Sequence, residues 1–161
     1  MKEILIREST GSDAMNVHAL VGQLPPLTHH TPYTYWNLFS NFSDSCFVAI
    51  NEGKTVGFVT SHPTTTPPQE WFIWQAGILP EYRRTGLRDA LGARVIGAAM
   101  KSGAVALTTT IEADNTRSLG SFQRAAHRLG ATIEEIDRFN LTPDDPSAVE
   151  EVLYRLPLPR K

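Results

Sequence analysis

The chain has 161 residues, 41% hydrophobic and 20% charged, with a formal net charge of −2. That suits one globular domain (1–161) with a core that needs neither metal nor disulfide. The absence of a Lys/Arg run excludes a phosphate-backbone binder, and the absence of any stretch of transmembrane length or secretory leader predicts a cytoplasmic protein with no membrane and no nucleic acid among its partners.

Ile4 and Ile6, in a short apolar run with Leu5 between the polar Glu3 and Arg7, predict a short opening strand. Ser12-Asp13 reads as a helix start, because Val17, Leu20, Val21 and Leu24 follow at helical spacing until Pro25-Pro26 stops them. The aromatic-rich stretch 33–42 predicts a second helix. A hairpin follows: a strand at 46–50, a turn at Asn51-Glu52-Gly53 and a strand at 55–61. The single cysteine, Cys46, lies in this apolar run and reads as a buried strand thiol. The loop from Pro63 to Pro68 can hold no regular element. It leads into Trp71-Phe72-Ile73-Trp74, a buried strand by composition.

After Pro80, one helical face collects Leu87, Ala90, Leu91, Val95 and Ala98 before Gly103 ends the helix. Residues 105–110 form a β-branched strand. Asp114-Asn115 caps a further helix, with Leu119, Phe122, Ala126 and Leu129 inward and Gly130 at its end. Two short strands close the chain, near 132–136 and 152–156. The order β-α-α-β-β-β-α-β-α-β-β predicts an α/β fold, a mixed sheet with helices on both faces.

The junction that carries chemistry is a strand, then Pro80-Glu81-Tyr82-Arg83-Arg84-Thr85-Gly86-Leu87, then a helix. A helix start presents unpaired N–H groups and the positive end of its dipole, a setting suited to a pyrophosphate. Arg83, Arg84 and Thr85 add charge and a hydroxyl. Taken alone, the same residues describe a solvated basic turn.

Trp74-Gln75-Ala76-Gly77-Ile78-Leu79-Pro80, followed by Arg83 to Leu87, resembles the acetyl-CoA-binding motif of GNAT N-acyltransferases. Asp114-Asn115-Thr116-Arg117-Ser118 with Phe122 resembles the second motif of that family. The resemblance implies the GNAT fold, with a sheet splayed beside residues 74–78. It also implies acetyl-CoA as cosubstrate, held by Ala76, Gly77, Ile78, Arg83, Arg84, Thr85, Gly86, Leu87, Arg88 and Asn115. Separated blocks carry a narrower likeness to the diaminobutyrate acetyltransferases of ectoine biosynthesis. They include Leu24-Pro25-Pro26-Leu27, Tyr33-Thr34-Tyr35, Trp74-Gln75, Arg128-Leu129-Gly130-Ala131 and Glu151-Val152-Leu153-Tyr154-Arg155. These imply acetylation of the 4-amino group of L-2,4-diaminobutyrate by a homodimer.

On that likeness Glu151 and Tyr33 are the catalytic candidates, and Thr28, Tyr33, Trp74 and Glu151 bind the amine. Read without it, Glu151 is an exposed strand glutamate beside Glu150, while Tyr33 and Trp74 are core aromatics. Phe122 stands where many GNAT enzymes place a proton-donating tyrosine. His29 and His30 adjoin the Pro25-Pro26 turn as lining of the pocket mouth, and no further His or Cys stands at metal-ligand spacing. Four positions depart from the family: Thr28 replaces an aspartate that receives an ammonium, Ala148 a histidine, Arg84 a frequent glycine and Arg88 a small residue. Two other readings therefore remain open, a relative acting on a different small amine and a CoA-binding protein without catalysis.

Overall fold

The computed structural model of the chain describes residues 3–159. Hydrogen bonding orders its strands β1-β2-β3-β4-β5-β7-β6 in one sheet of seven. The elements run β1 (Leu5–Glu8), α1 (Ala14–Val21), α2 (Pro32–Asn41), β2 (Phe47–Asn51), β3 (Lys54–Pro63), β4 (Trp71–Ile78), α3 (Leu87–Ser102), β5 (Ala106–Glu112), α4 (Thr116–Arg128), β6 (Glu134–Phe139) and β7 (Glu151–Pro157). This is the order expected from the sequence. The described residues gather into two compact units: one holds residues 3–62 together with Trp74–Ala98, the other Pro63–Ile73 and residues 99–159.

In the first unit, β1 pairs antiparallel with β2 and β2 with β3. The hairpin turns through Glu52 (φ 50) and Gly53 (φ 78) between the paired Asn51 and Lys54. Two positive φ values match the twist of the flanking strands. Val17, Leu20, Val21, Tyr35, Phe39, Val48, Val56, Phe58 and Leu91 are buried and form its core. Cys46 immediately precedes β2 and is fully buried. Its Sγ donates to the Ser61 carbonyl at 3.3 Å, and burial pushes the thiol pKa up to about 11.

The buried stripe of α3 is Leu87, Leu91, Val95 and Ala99, a narrower row than expected; Ala90 is exposed and Ala98 half-buried. Apolar spacing marks a face, but a methyl side chain at its margin need not be covered. The run 71–74 is likewise less buried than its composition suggests. Trp71 is covered, while Phe72, Ile73 and Trp74 are half-buried.

In the second unit, β7 lies between β5 and β6, antiparallel to both. Ala106, Leu107, Ile111, Val152 and Leu156 from the strands, with Phe122 and Ala126 of α4, are buried. Gly103 (φ 83) and Gly130 (φ 65) close α3 and α4 in the left-handed conformation that glycine adopts without steric cost.

Candidate active site

Strand β4 is the spine of the site. Its parallel ladder to β5 consists of Trp71↔Leu107, Phe72↔Thr108 and Ile73↔Thr109. There the Thr109 hydroxyl donates to the Ile73 carbonyl at 2.9 Å, so a side chain satisfies the last acceptor. β4 continues to Ile78, leaving residues 74–78 beyond the recorded ladder to β5. Main-chain donors of this run are what an acyl-thioester carbonyl requires. Gly77 and Ile78 are buried and Ala76 half-buried, so these residues offer backbone rather than side chains.

The loop after β4 is held at several points within the first unit. Leu79 N–H donates to the Val56 carbonyl at 3.0 Å and Asn51 Nδ2 to the Tyr82 hydroxyl at 2.7 Å. Arg83, Arg84, Thr85 and Gly86 are exposed, with Arg84 at φ 69 and Gly86 at φ 82. Arg84 thus adopts the conformation for which a glycine is usual. The Thr85 hydroxyl donates to the Tyr82 carbonyl at 2.7 Å, so its proton stabilises the loop rather than facing outward. Leu87 is buried and opens α3, leaving only its main chain for a ligand; Arg88, next in that first turn, is half-buried.

Residues 24–30 pack against the other end of this strand region. Gly77 makes room for them, since a Cβ there would lie 2.7 Å from Leu24 Cδ1, 2.7 Å from Phe58 Cε1 and 3.1 Å from Leu27 Cδ1. The Thr28 carbonyl accepts from Gln75 Nε2 at 3.0 Å, while its side chain is exposed. The His30 ring lies 4.6 Å from that of Trp74, and Tyr35 lies 6.4 Å from Trp74. Thr28, His30 and Trp74 therefore share one neighbourhood. Tyr33 does not join it by contact: it is 71% exposed and stacks on Trp36 at 5.6 Å. The neighbouring Tyr35 is the tyrosine turned inward. It is fully buried, and burial pushes its hydroxyl pKa up to about 12.

Glu151 opens β7 in the second unit, directly opposite Glu112 of β5. Its pKa is raised, first by burial and then by the charge of Glu112, against which a hydrogen bond from Thr110 pulls it down. Glu150 differs in kind, because Arg138 Nη1 holds it at 2.9 Å. Glu112 was not marked by the sequence; only the strand register sets it against Glu151. Arg155 is taken up in structure, its Nε 2.6 Å from Glu70 and Nη1 3.3 Å from Glu134. Asn115 caps α4, its Oδ1 accepting from Ser118 N–H at 3.1 Å. Ala148 sits in the turn before β7, its N–H donating to the Asp145 carbonyl at 3.0 Å. Among the described residues there is no group of three or more His, Cys, Asp or Glu able to hold a metal ion, and no helix long and apolar enough to cross a membrane.

The sequence matches the acetyltransferase (GNAT) family over residues 14–127. It is 35% identical over 138 residues to the L-2,4-diaminobutyric acid acetyltransferase of Halomonas elongata, covering 85% of this chain and 72% of that protein. The protein of the same name from Chromohalobacter salexigens is 34% identical over 140 residues, covering 86% of this chain and 73% of the other. A diaminobutyrate acetyltransferase from Paenibacillus lautus, solved in complex with its substrate L-2,4-diaminobutyric acid and coenzyme A, has the same fold. Its TM-score is 0.82 at 23% identity, over 99% of this chain and 98% of that one. Strand order, the short β4–β5 ladder and the family match across most of the sequence agree: the chain belongs to the GNAT acetyltransferase family and is an N-acetyltransferase with acetyl-CoA as its cosubstrate.

Proposed function

We propose that this enzyme acetylates the 4-amino group of L-2,4-diaminobutyrate, giving the precursor of ectoine, and that it does so in the cytoplasm as a homodimer. The observation that carries the reading is its 35% identity to the Halomonas elongata protein of that name across 85% of this chain.

Acetyl-CoA would supply the acetyl group: the amine nitrogen bonds to the acyl carbon, the thioester C–S bond breaks, and CoA leaves as its thiol. In the first unit, the main-chain amides of Ala76, Gly77 and Ile78 receive its pantetheine arm and polarise the thioester carbonyl. The main chain of 83–88, with the charges of Arg83, Arg84 and Arg88, receives the pyrophosphate. Thr28 and the Trp74 ring, backed by His30, take the amine, whereas Tyr33 lies exposed on α2 against Trp36. In the second unit, Glu151 is the candidate general base that the family likeness marks, and burial together with the Glu112 charge raises its pKa toward that of an amine.

An acetylation assay across small amines with thiol detection tests this. L-2,4-diaminobutyrate should give the highest kcat/KM; a clear preference for an amine lacking the 2-amino acid group would overturn it. A second reading, a different small amine, is favoured by Thr28, whose hydroxyl supplies no counter-charge. Thr28→Asp restores a charged acceptor and should improve kcat/KM for diaminobutyrate about tenfold, the value of one charge-assisted hydrogen bond. Unchanged or worse kinetics would favour the second reading.

A further inference from the structure

Gln75 is buried in the middle of β4, and each side of its peptide and side-chain amide is engaged. Its main-chain N–H donates to Thr60 Oγ1 at 3.0 Å, and the same hydroxyl donates back to the Gln75 carbonyl at 3.0 Å. A single threonine therefore fixes the backbone from which the side chain departs. At the side chain, Nε2 donates to the Thr28 carbonyl at 3.0 Å and Oε1 accepts from the Tyr35 hydroxyl at 2.8 Å. A carbonyl can only accept, so the Thr28 contact decides which way the amide faces. The Thr28 carbonyl is thus held by one buried Gln75–Tyr35 pair. The Thr28 side chain remains exposed and the His30 ring lies on Trp74.

We propose that Gln75 is a positioning residue for the amine substrate: with its amide oriented by Tyr35, it holds the Thr28 backbone so that the Thr28 hydroxyl and the neighbouring His30–Trp74 pair face the incoming nitrogen. This rests on the proposed amine site at Thr28 and Trp74. The donor at Nε2 is what matters. An ionised carboxylate in its place would turn a lone pair on the Thr28 carbonyl, whereas a protonated one carries an O–H that restores the bond.

That difference makes Gln75→Glu a reversible probe, because burial raises a carboxyl pKa toward or above neutrality. Kinetics of wild type, Gln75→Glu and Gln75→Met should be compared from about pH 6 to about pH 9. The nearby titratable groups, Tyr35, His18, His29 and His30, are common to all three, so their effects divide out. At low pH the KM of Gln75→Glu for the amine should approach that of wild type, and at high pH it should exceed it at least about tenfold, the scale of a lost hydrogen bond at a buried acceptor. Gln75→Met should be raised throughout. The KM for acetyl-CoA should stay within about twofold, since the clasp touches the amine segment alone. A pH-independent defect, or equal rises in both KM values with a fall in Tm, would reduce Gln75 to a packing residue and overturn the proposal.

Hydrogen exchange over residues 27–31 gives a readout that needs no substrate. It should quicken in Gln75→Met and in Gln75→Glu at high pH, and slow again in Gln75→Glu at low pH. Unaltered exchange overturns the clasp whichever amine is used. Exchange that follows this pattern while diaminobutyrate is not acetylated would instead reject the substrate reading and leave the clasp standing.

Discussion

Glu112 and Glu151 face one another across β5 and β7, and the Glu151 pKa is raised, by burial first and by Glu112 second. A carboxyl whose folded pKa exceeds its unfolded value is ionised in the native state at a cost. It therefore subtracts from stability above the folded pKa, and the penalty disappears as pH falls below the unfolded one. Glu112→Gln removes the second cause. The Glu151 carboxyl resonance should then titrate at lower pH, and Tm should rise at neutral pH but not below about pH 3, where both states are protonated. An unmoved titration would mean that burial alone governs Glu151. The proposed general-base role is a separate matter: Glu151→Gln should lower kcat about 10²–10⁴-fold with no loss of Tm, since it removes the same buried charge.

Loop 79–86 and the helix it opens show how a segment can keep its path while changing its side chains. Arg84 at φ 69 occupies a conformation that disfavours L-residues by about 1–2 kcal/mol, held by the Asn51–Tyr82 and Thr85–Tyr82 hydrogen bonds around it. Arg88 stands in the first turn of α3, where a long side chain can swing away while the helix start still faces an anion. Arg88→Ala should accordingly change CoA affinity only modestly, with added salt weakening wild type more than the variant; calorimetry at two salt concentrations checks it. Strong rescue of CoA binding by alanine would mean that the guanidinium fills the pyrophosphate site. Strand β4 has its own narrow point at Gly77. Gly77→Ala would drive a methyl to 2.7 Å from the fully buried Phe58 ring, which has no room to retreat. A loss of about 1–3 kcal/mol in denaturant unfolding is expected, together with a higher KM for the amine because residues 24–28 lean on the same spot.

For the molecule as a whole, Cys46 is a built-in reporter. It is the single cysteine, it is fully buried, and its pKa is pushed up to about 11. A thiol reagent should therefore react only as fast as the first unit opens, and its rate should rise with urea in step with unfolding followed by circular dichroism. Rapid labelling in native buffer would show that β2 opens locally. A sedimentation measurement belongs beside it, because the proposed homodimer predicts twice the 17.8 kDa chain mass.

Most of the elements were legible in the sequence because their causes are local. Val17, Leu20 and Val21 set a helical period, Glu52-Gly53 a hairpin turn, and Asn115 a cap, each within a few residues of its effect. The resemblance also marked the 74–88 junction, since that motif is contiguous. What could not be read were partnerships between residues distant in the chain. Gln75 meets Tyr35 and Thr28 across 40 and 47 positions, Arg155 meets Glu70 across 85, and Glu112 meets Glu151 through strand register alone. Tyr33 and Tyr35, two residues apart, illustrate the division. Their composition is identical, yet one is exposed and the other fully buried, because the helix turns them to different sides and only packing determines which side is covered. Local spacing thus determined the elements and the family resemblance the chemistry to look for, while the folded sheet determined which polar groups meet, because register and burial are properties of the assembled chain.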